Sequence, residues 1–309
     1  MSIFMLPITP TEFKTTLLSH GWFDLAPFKV DIKIPTLMRA FKSRYGDAII
    51  KIIVKNEKVL CETLYGNEEI AHQMTTNCLS LDIDINQLHS LVARHSNYDW
   101  IIEKGFGRYL RSPTLYEDCI RIISTANQNW SNTKKIIQAL IENYGYDVNG
   151  FKDFPEPNRL IRLSESGIKE KTKCGYRASS FLDIADRSLS EPDFFAGDGW
   201  KGLHAKDFYD RLSSIRGMGP ASASYLCRIY GKPYLYSVDR WVTKRCDELW
   251  GLNFRKTDKK GKVKPDLAKY ENFAKNRYEG FNDYGPSVFW FEISKYWHDN
   301  ESFENAWWS

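Results

Sequence analysis

The sequence has no CxxC pair, and Cys61, Cys78, Cys119, Cys174, Cys227 and Cys246 lie far apart along the chain. That spacing excludes a disulfide framework and a cysteine-held zinc or iron–sulfur site. The six histidines are just as dispersed, so no metal-ligand pair sits at helical spacing. No apolar run approaches the ~20 residues that a membrane helix needs. The opening stretch, MSIFMLPITPTEF, has no basic segment ahead of its apolar patch, unlike a secretory signal. A cytoplasmic, cofactor-free protein is the expectation. Internal repeats and low-complexity tracts are missing too. Lys and Arg outnumber Asp and Glu only 43 to 39, a balance that permits a polyanionic partner without demanding one.

What remains is a globular composition, 42% hydrophobic and 27% charged over 309 residues, enough for one large or two modest domains. Charge concentrates once, in Arg255, Lys256, Lys259, Lys260, Lys262 and Lys264 against Asp258. This run reads as a solvated loop, one that would add salt-sensitive affinity for nucleic acid. Aromatics reach 15%, with ten tryptophans. Most must be core, but such rings also grip an unstacked base.

The periodicity changes along the chain. Apolar runs at 48–54 and 59–64 flank a turn at 56–58 and predict a β-hairpin. A helix is predicted over 80–95, with Leu88, Leu91 and Val92 on one face. Beyond 97 the pattern is helical. Ser112-Pro113 has the form of a helix start, ahead of Leu115, Cys119, Ile122, Ile123 and Ala126 on one face. The polar cluster Asn127-Gln128-Asn129 separates this helix from the next, which Gly145 ends. Residues 177–187 predict another helix, and the glycine-rich 191–202 a loop. The fold class is therefore α+β: an N-terminal antiparallel β-sheet domain over 1–97 and a mainly α-helical core over 98–309.

The most informative segment is 205–251. An amphipathic helix carrying Phe208, Leu212 and Ile215 meets Arg216-Gly217-Met218-Gly219. Two glycines two apart allow a tight hairpin with positive φ, and Pro220 starts the next helix. Such a hairpin aims the amides of Gly217, Gly219 and Ala221, and the positive end of that helix, at one point. That geometry suits a phosphate. Asp239 stands just before a third helix, where it would serve as N-cap. The helix dipole and amides there favour its anion. An anion in a dry pocket can stabilise a sugar cation and orient an attacking water.

The run L-x-x-I-R-G-M-G-P-A-S-A followed by V-D resembles the signature of the helix–hairpin–helix DNA glycosylases, in particular the branch of 3-methyladenine DNA glycosylase II and 8-oxoguanine DNA glycosylase. The resemblance implies a fold with that sheet and helical core, a hairpin (Gly217, Met218, Gly219, Ala221) on DNA phosphate, and a catalytic Asp239. It implies that Asn127, Gln128 and Asn129 probe the gap left by a flipped base, and that Tyr176, with Arg177, wedges into the stack. It places Trp130, Tyr225, Trp290, Glu292 and Tyr296 around the base. It also allows a monovalent sodium or potassium ion on the hairpin carbonyls, and it implies double-stranded DNA as the partner of a monomer.

The departures from that pattern matter as much. The position of the lyase lysine is Ala221, and only Cys246 follows Asp239, so neither Schiff-base chemistry nor an iron–sulfur cluster is expected. Tyr225 and Glu292 argue against 8-oxoguanine. The expected activity is a monofunctional hydrolase of N-glycosyl bonds in DNA that repairs alkylated purines. Excision of an enzymatically hypermodified base, such as glucosylated hydroxymethylcytosine of phage DNA, stays open as a defence role. So do a non-catalytic structure-specific binder and a lyase using Lys173 or Lys232.

Overall fold

A computed structural model describes residues 2–43 and 45–300. Strands β1 (Ser2–Met5), β2 (Lys29–Asp31), β3 (Thr36–Ser43), β4 (Gly46–Lys55) and β5 (Lys58–Gly66) form one antiparallel sheet in the order β1-β5-β4-β3-β2. The predicted hairpin is β4–β5. Its two-residue connection, Asn56-Glu57, has φ of 49° and 58°, the double left-handed turn that matches strand twist.

The helices of seven residues or more are α1 (Pro10–Leu17), α2 (Glu68–Cys78), α3 (Asn86–Val92), α4 (Leu115–Thr125), α5 (Trp130–Tyr144), α6 (Glu165–Thr172), α7 (Ala178–Ser190), α8 (Ala205–Ser213), α9 (Pro220–Ile229), α10 (Arg240–Trp250), α11 (Leu267–Arg277) and α12 (Gly285–Asn300). Among the described residues no helix is long and apolar enough to cross a membrane. Leu37, Ile50, Ile52, Val59 and Cys61 of the sheet share one buried cluster with Ile70 and Met74 of α2 and with Leu226 and Val288 of the helical region.

Four sequence expectations change. The helix predicted over 80–95 shrinks to α3. Ser80 adopts φ 52°, and the Asp84 carboxylate accepts from the Asn86 amide, so a turn interrupts the pattern. The helix predicted to start at Ser112-Pro113 begins later: Thr114 is the cap, accepting from the Glu117 amide, while the Ser112 amide donates to buried Asp118. The 191–202 loop holds a one-turn helix, Pro192–Ala196, and sends Phe194, Phe195 and Trp200 into the core. The basic run is a two-stranded ribbon, Arg255–Thr257 with Val263–Pro265, and not a loop.

A buried ionic cluster fixes the sheet on the helices. Arg39 of β3 donates to Glu117 of α4 (2.6 Å) and to Asp153 (2.7 Å). Arg121, one turn along α4, donates to the same glutamate (2.6 Å) and to the Ala26 carbonyl (2.8 Å). Each charge is met by opposite charge and directed hydrogen bonds, the condition under which burial is tolerated. The cluster thus sets the segment after α1 against α4, and a cavity lies between them.

Candidate active site

The cavity measures about 570 Å³, within the range of small-molecule sites. Five tryptophans line it: Trp22, Trp130, Trp241, Trp290 and Trp297. Three of their N–H groups are already used. Trp22 donates to Asp118 (2.6 Å), Trp130 to Asp24 (2.7 Å) and Trp290 to the Ser19 carbonyl (3.0 Å). Asp118 also accepts from the Tyr230 hydroxyl at 2.8 Å, so Trp22 is held by a fixed partner. With their polar edges occupied, the rings offer apolar area to the cavity, a surface on which a flat ring stacks. Gly21 is required here. A Cβ at that position would lie 2.6 Å from the Trp130 ring.

His20 completes this wall. Its Nε2 lies 2.7 Å from the Leu110 carbonyl, which only accepts, so Nε2 carries the proton. Burial lowers the ring's pKa to about 3, and it is neutral. Tyr225 packs edge-on to His20 and Trp290.

Asp239 opens onto the same cavity from the N-terminus of α10, where its carboxylate accepts from the Val242 amide at 2.8 Å. The amides of Val242 and Trp241 and the charge of Arg228 favour its anion, as the cap position predicts. Crowding by protein outweighs them, and its pKa is raised above the ordinary 3.8. The residue is open to the cavity while closely surrounded on its other sides.

The hairpin between α8 and α9 departs from the expected symmetry. Only Gly217 is left-handed, at φ +82°, and a Cβ there would lie 2.5 Å from the Ser180 hydroxyl. Gly219 has an ordinary φ of −77°, and a Cβ on it would meet nothing within 4 Å. Met218 does not face outward as expected of a DNA contact. Its side chain is buried, and its amide donates to Ile215. The amides of Gly217, Gly219 and Ala221 have no acceptor among the described residues. Ser237 donates to the Ala221 carbonyl at 2.8 Å, tying the segment that carries Asp239 to the first turn of α9.

Asn127 and Gln128 line the cavity, and Asn129 caps α5 by accepting from the Asn132 amide (2.8 Å). Asn127 is left-handed, at φ 53°, and donates to the hydroxyl of Tyr176, whose side chain stands out 58% exposed. Arg177 corrects its predicted role. It is buried and donates to the carbonyls of Ile123, Cys174 and Ala126, with its guanidinium 4.5 Å from the Tyr176 ring. It lies behind the Tyr176 ring with its guanidinium engaged by protein carbonyls. Arg177→Met should destabilise the protein by about 2–4 kcal/mol, because three carbonyls lose their donor. Urea unfolding measures this loss, and the salt dependence of DNA binding should not move.

Glu292 and Tyr296 are also corrected. They line a separate cleft of about 390 Å³ with Tyr98 and Arg277. Glu292 pairs with Arg277 (2.9 Å) and accepts from the hydroxyls of Tyr278 (2.7 Å) and Tyr98 (3.1 Å). The cause is helical geometry. From Trp290, a step of two residues turns about 200° and a step of six about 240°, whereas seven returns to the same face. Trp297 therefore joins Trp290 in the cavity. Sequence reading missed His20, Gly21, Trp22, Trp241, Arg245 and Trp297, and the seven-residue spacing of Trp290 and Trp297 was the one available signal.

No family model matches the chain, and no curated protein matches it either. Solved structures do. MBOgg1, solved with a low-affinity DNA ligand, superposes with a TM-score of 0.68 at 18% identity over 95% of each chain. The 3-methyladenine DNA-glycosylase from Archaeoglobus fulgidus gives 0.68 at 17% identity, over 96% of this chain and 99% of that one. The Clostridium acetobutylicum 8-oxoguanine glycosylase/lyase, solved with double-stranded DNA, gives 0.63 at 18% over 90% and 93%. The α+β fold is thus the one shared by these structures, along nearly the full length of the chain.

Proposed function

We propose that this chain is a monofunctional DNA glycosylase. It binds duplex DNA, takes one modified base into the tryptophan-lined cavity and hydrolyses its N-glycosidic bond, leaving an abasic site. The observation that carries this reading is the meeting of Asp239 with five tryptophan rings in one cavity, beside a hairpin with unpaired amides. The likeness in fold to these structures, two of the three solved with DNA, agrees with it.

In this mechanism the amides of Gly217, Gly219 and Ala221 hold a phosphate. Tyr176 and Asn127 fill the space the flipped nucleotide leaves. As the C1′–N bond breaks, its electron pair leaves with the base, and the Asp239 carboxylate stabilises the sugar cation. Water then bonds to C1′ and gives up a proton, and the departing base is protonated. A monovalent cation would find oxygen donors on the Gly217 and Met218 carbonyls, which accept no hydrogen bond among the described residues. It would brace the turn without entering the reaction.

No lysine is among the residues lining the cavity, which supports hydrolysis over lyase chemistry. Lys232 is tied to the carbonyls of Lys201 and Leu203, and Lys173 is the exposed C-cap of α6. An alkylated purine is the first substrate reading, since stacking without dense hydrogen-bond readout suits it. The size of the cavity favours a second, a base enlarged by an enzymatic modification. A mere binder has no use for a carboxylate in such a cavity.

The test is base release from duplexes holding alkylated purines, 8-oxoguanine, uracil or glucosylated hydroxymethylcytosine. Strand cuts should appear only after alkali, and the responding duplex identifies the base. Tight binding with no release from any duplex would leave the binder reading, and borohydride trapping of the protein would restore the lyase.

A further inference from the structure

Arg228 on α9 is an unusual neighbour for this cavity. It is 1% exposed, and among the described residues no carboxylate or carbonyl accepts a hydrogen bond from its guanidinium, whose polar neighbour is the Tyr109 hydroxyl. Instead it lies over aromatic rings, 4.2 Å from the centroid of Trp290 and 4.9 Å from that of Tyr225. Both rings line the cavity, whereas Arg228 does not. The guanidinium therefore sits behind the wall on which a base would stack.

The other charges around the cavity leave this one exposed in effect. His20 is neutral, and Arg245 is paired with Glu248 at 2.6 Å. Asp239 is the carboxylate that acts on Arg228, and in the mechanism above it serves the sugar. A cation against one face of an aromatic ring is attracted by its quadrupole and draws electron density toward itself. The opposite face becomes a poorer seat for a second cation, and like charges so close repel strongly in a water-poor site.

We propose that Arg228 sets the charge of the base this cavity accepts: a guanidinium behind Trp290 and Tyr225 makes the pocket select uncharged bases over ring-quaternised, cationic bases of the same shape. The inference rests on the base-pocket reading above and, between its two substrate classes, favours the enlarged uncharged base over purines alkylated on a ring nitrogen, which are cationic. It also has a chemical consequence. An uncharged base leaves with the electron pair of the broken C1′–N bond and so carries developing negative charge. Arg228 stabilises that charge until a proton from solvent neutralises it. A cationic base leaves as a neutral molecule and needs no such help.

The experiment compares two duplexes, one holding 7-methylguanine and the other 7-deaza-7-methylguanine. The two bases share a shape and differ by one charge. A 2′-fluorine on each target sugar prevents cleavage, so affinity alone is read. The wild-type protein should bind the uncharged base at least tenfold more tightly. Arg228→Met should bring the two within about twofold, and Arg228→Gln serves if the methionine variant does not fold. Arg228→Lys, which keeps the charge, should keep the preference. Equal or tighter wild-type binding of the cation overturns the inference, as does an unchanged ratio in the neutral variants. If neither lesion binds better than undamaged duplex, the base-pocket reading itself falls. A pocket that binds both lesions alike overturns only the role of Arg228.

Discussion

Asp239→Asn should fold, bind damaged DNA and release base at least about 10³-fold more slowly, because the one anion facing the sugar is gone. Asparagine caps a helix as well as aspartate, so α10 keeps its first turn. Single-turnover release, followed by alkali cleavage, measures the loss. A rate within tenfold of wild type would remove Asp239 from the chemistry. The raised pKa of Asp239 adds two signed expectations. Activity needs the anion, so the wild-type rate should fall on acidification at a pH above the ordinary 3.8. Stability runs the other way. A carboxyl whose folded pKa exceeds its unfolded value contributes stability below the unfolded pKa and loses it as pH rises through the folded one. At neutral pH the charge, crowded by protein on all sides but the cavity, therefore works against folding, and Asp239→Asn should melt at the same temperature as wild type or higher. That gap should close as pH falls toward 3.8.

The second large effect is expected at Gly219, where the structure separates binding from folding. A Cβ there meets nothing, so valine costs the fold little and places its methyls where the phosphate would sit. Gly219→Val should weaken DNA binding by about 10- to 100-fold, the loss of one or two charge-assisted hydrogen bonds. The loss should be the same for damaged and undamaged duplex, and the melting temperature should not move. The slope of log affinity against log salt should drop by about one phosphate contact. Gly217→Val is the contrasting case. Its left-handed φ and the Ser180 hydroxyl make the same substitution destabilising, so loss of binding there would not separate contact from fold. Normal binding by Gly219→Val would rule out the phosphate assignment.

Motifs read from neighbouring residues survived in the structure because local geometry enforces them. Asp239 caps α10 and Asn129 caps α5 through bonds spanning three residues, Pro220 opens α9 with its ring-fixed φ, and Gly217 turns the hairpin with its left-handed φ. Alternating apolar residues likewise located the β4–β5 hairpin. A carboxylate and a glycine turn twenty residues apart could be paired from the sequence because one helix and a short segment connect them.

The sequence alone therefore determined the fold class, the hairpin, the cap carboxylate and the polar turn before α5, all features whose forces act within a few residues. Only the tertiary structure decided what surrounds them. His20, Gly21 and Trp22 reach the cavity from 217 to 219 residues before Asp239, because a buried ionic cluster docks the sheet on α4. Arg177 turned from a contact into a brace, and Glu292 left the cavity for another cleft, since rotation about a helix axis and burial are settled by packing partners distant in sequence. Arg228 became visible only when its guanidinium proved to face rings and no carboxylate, a relation that spacing along the chain cannot encode.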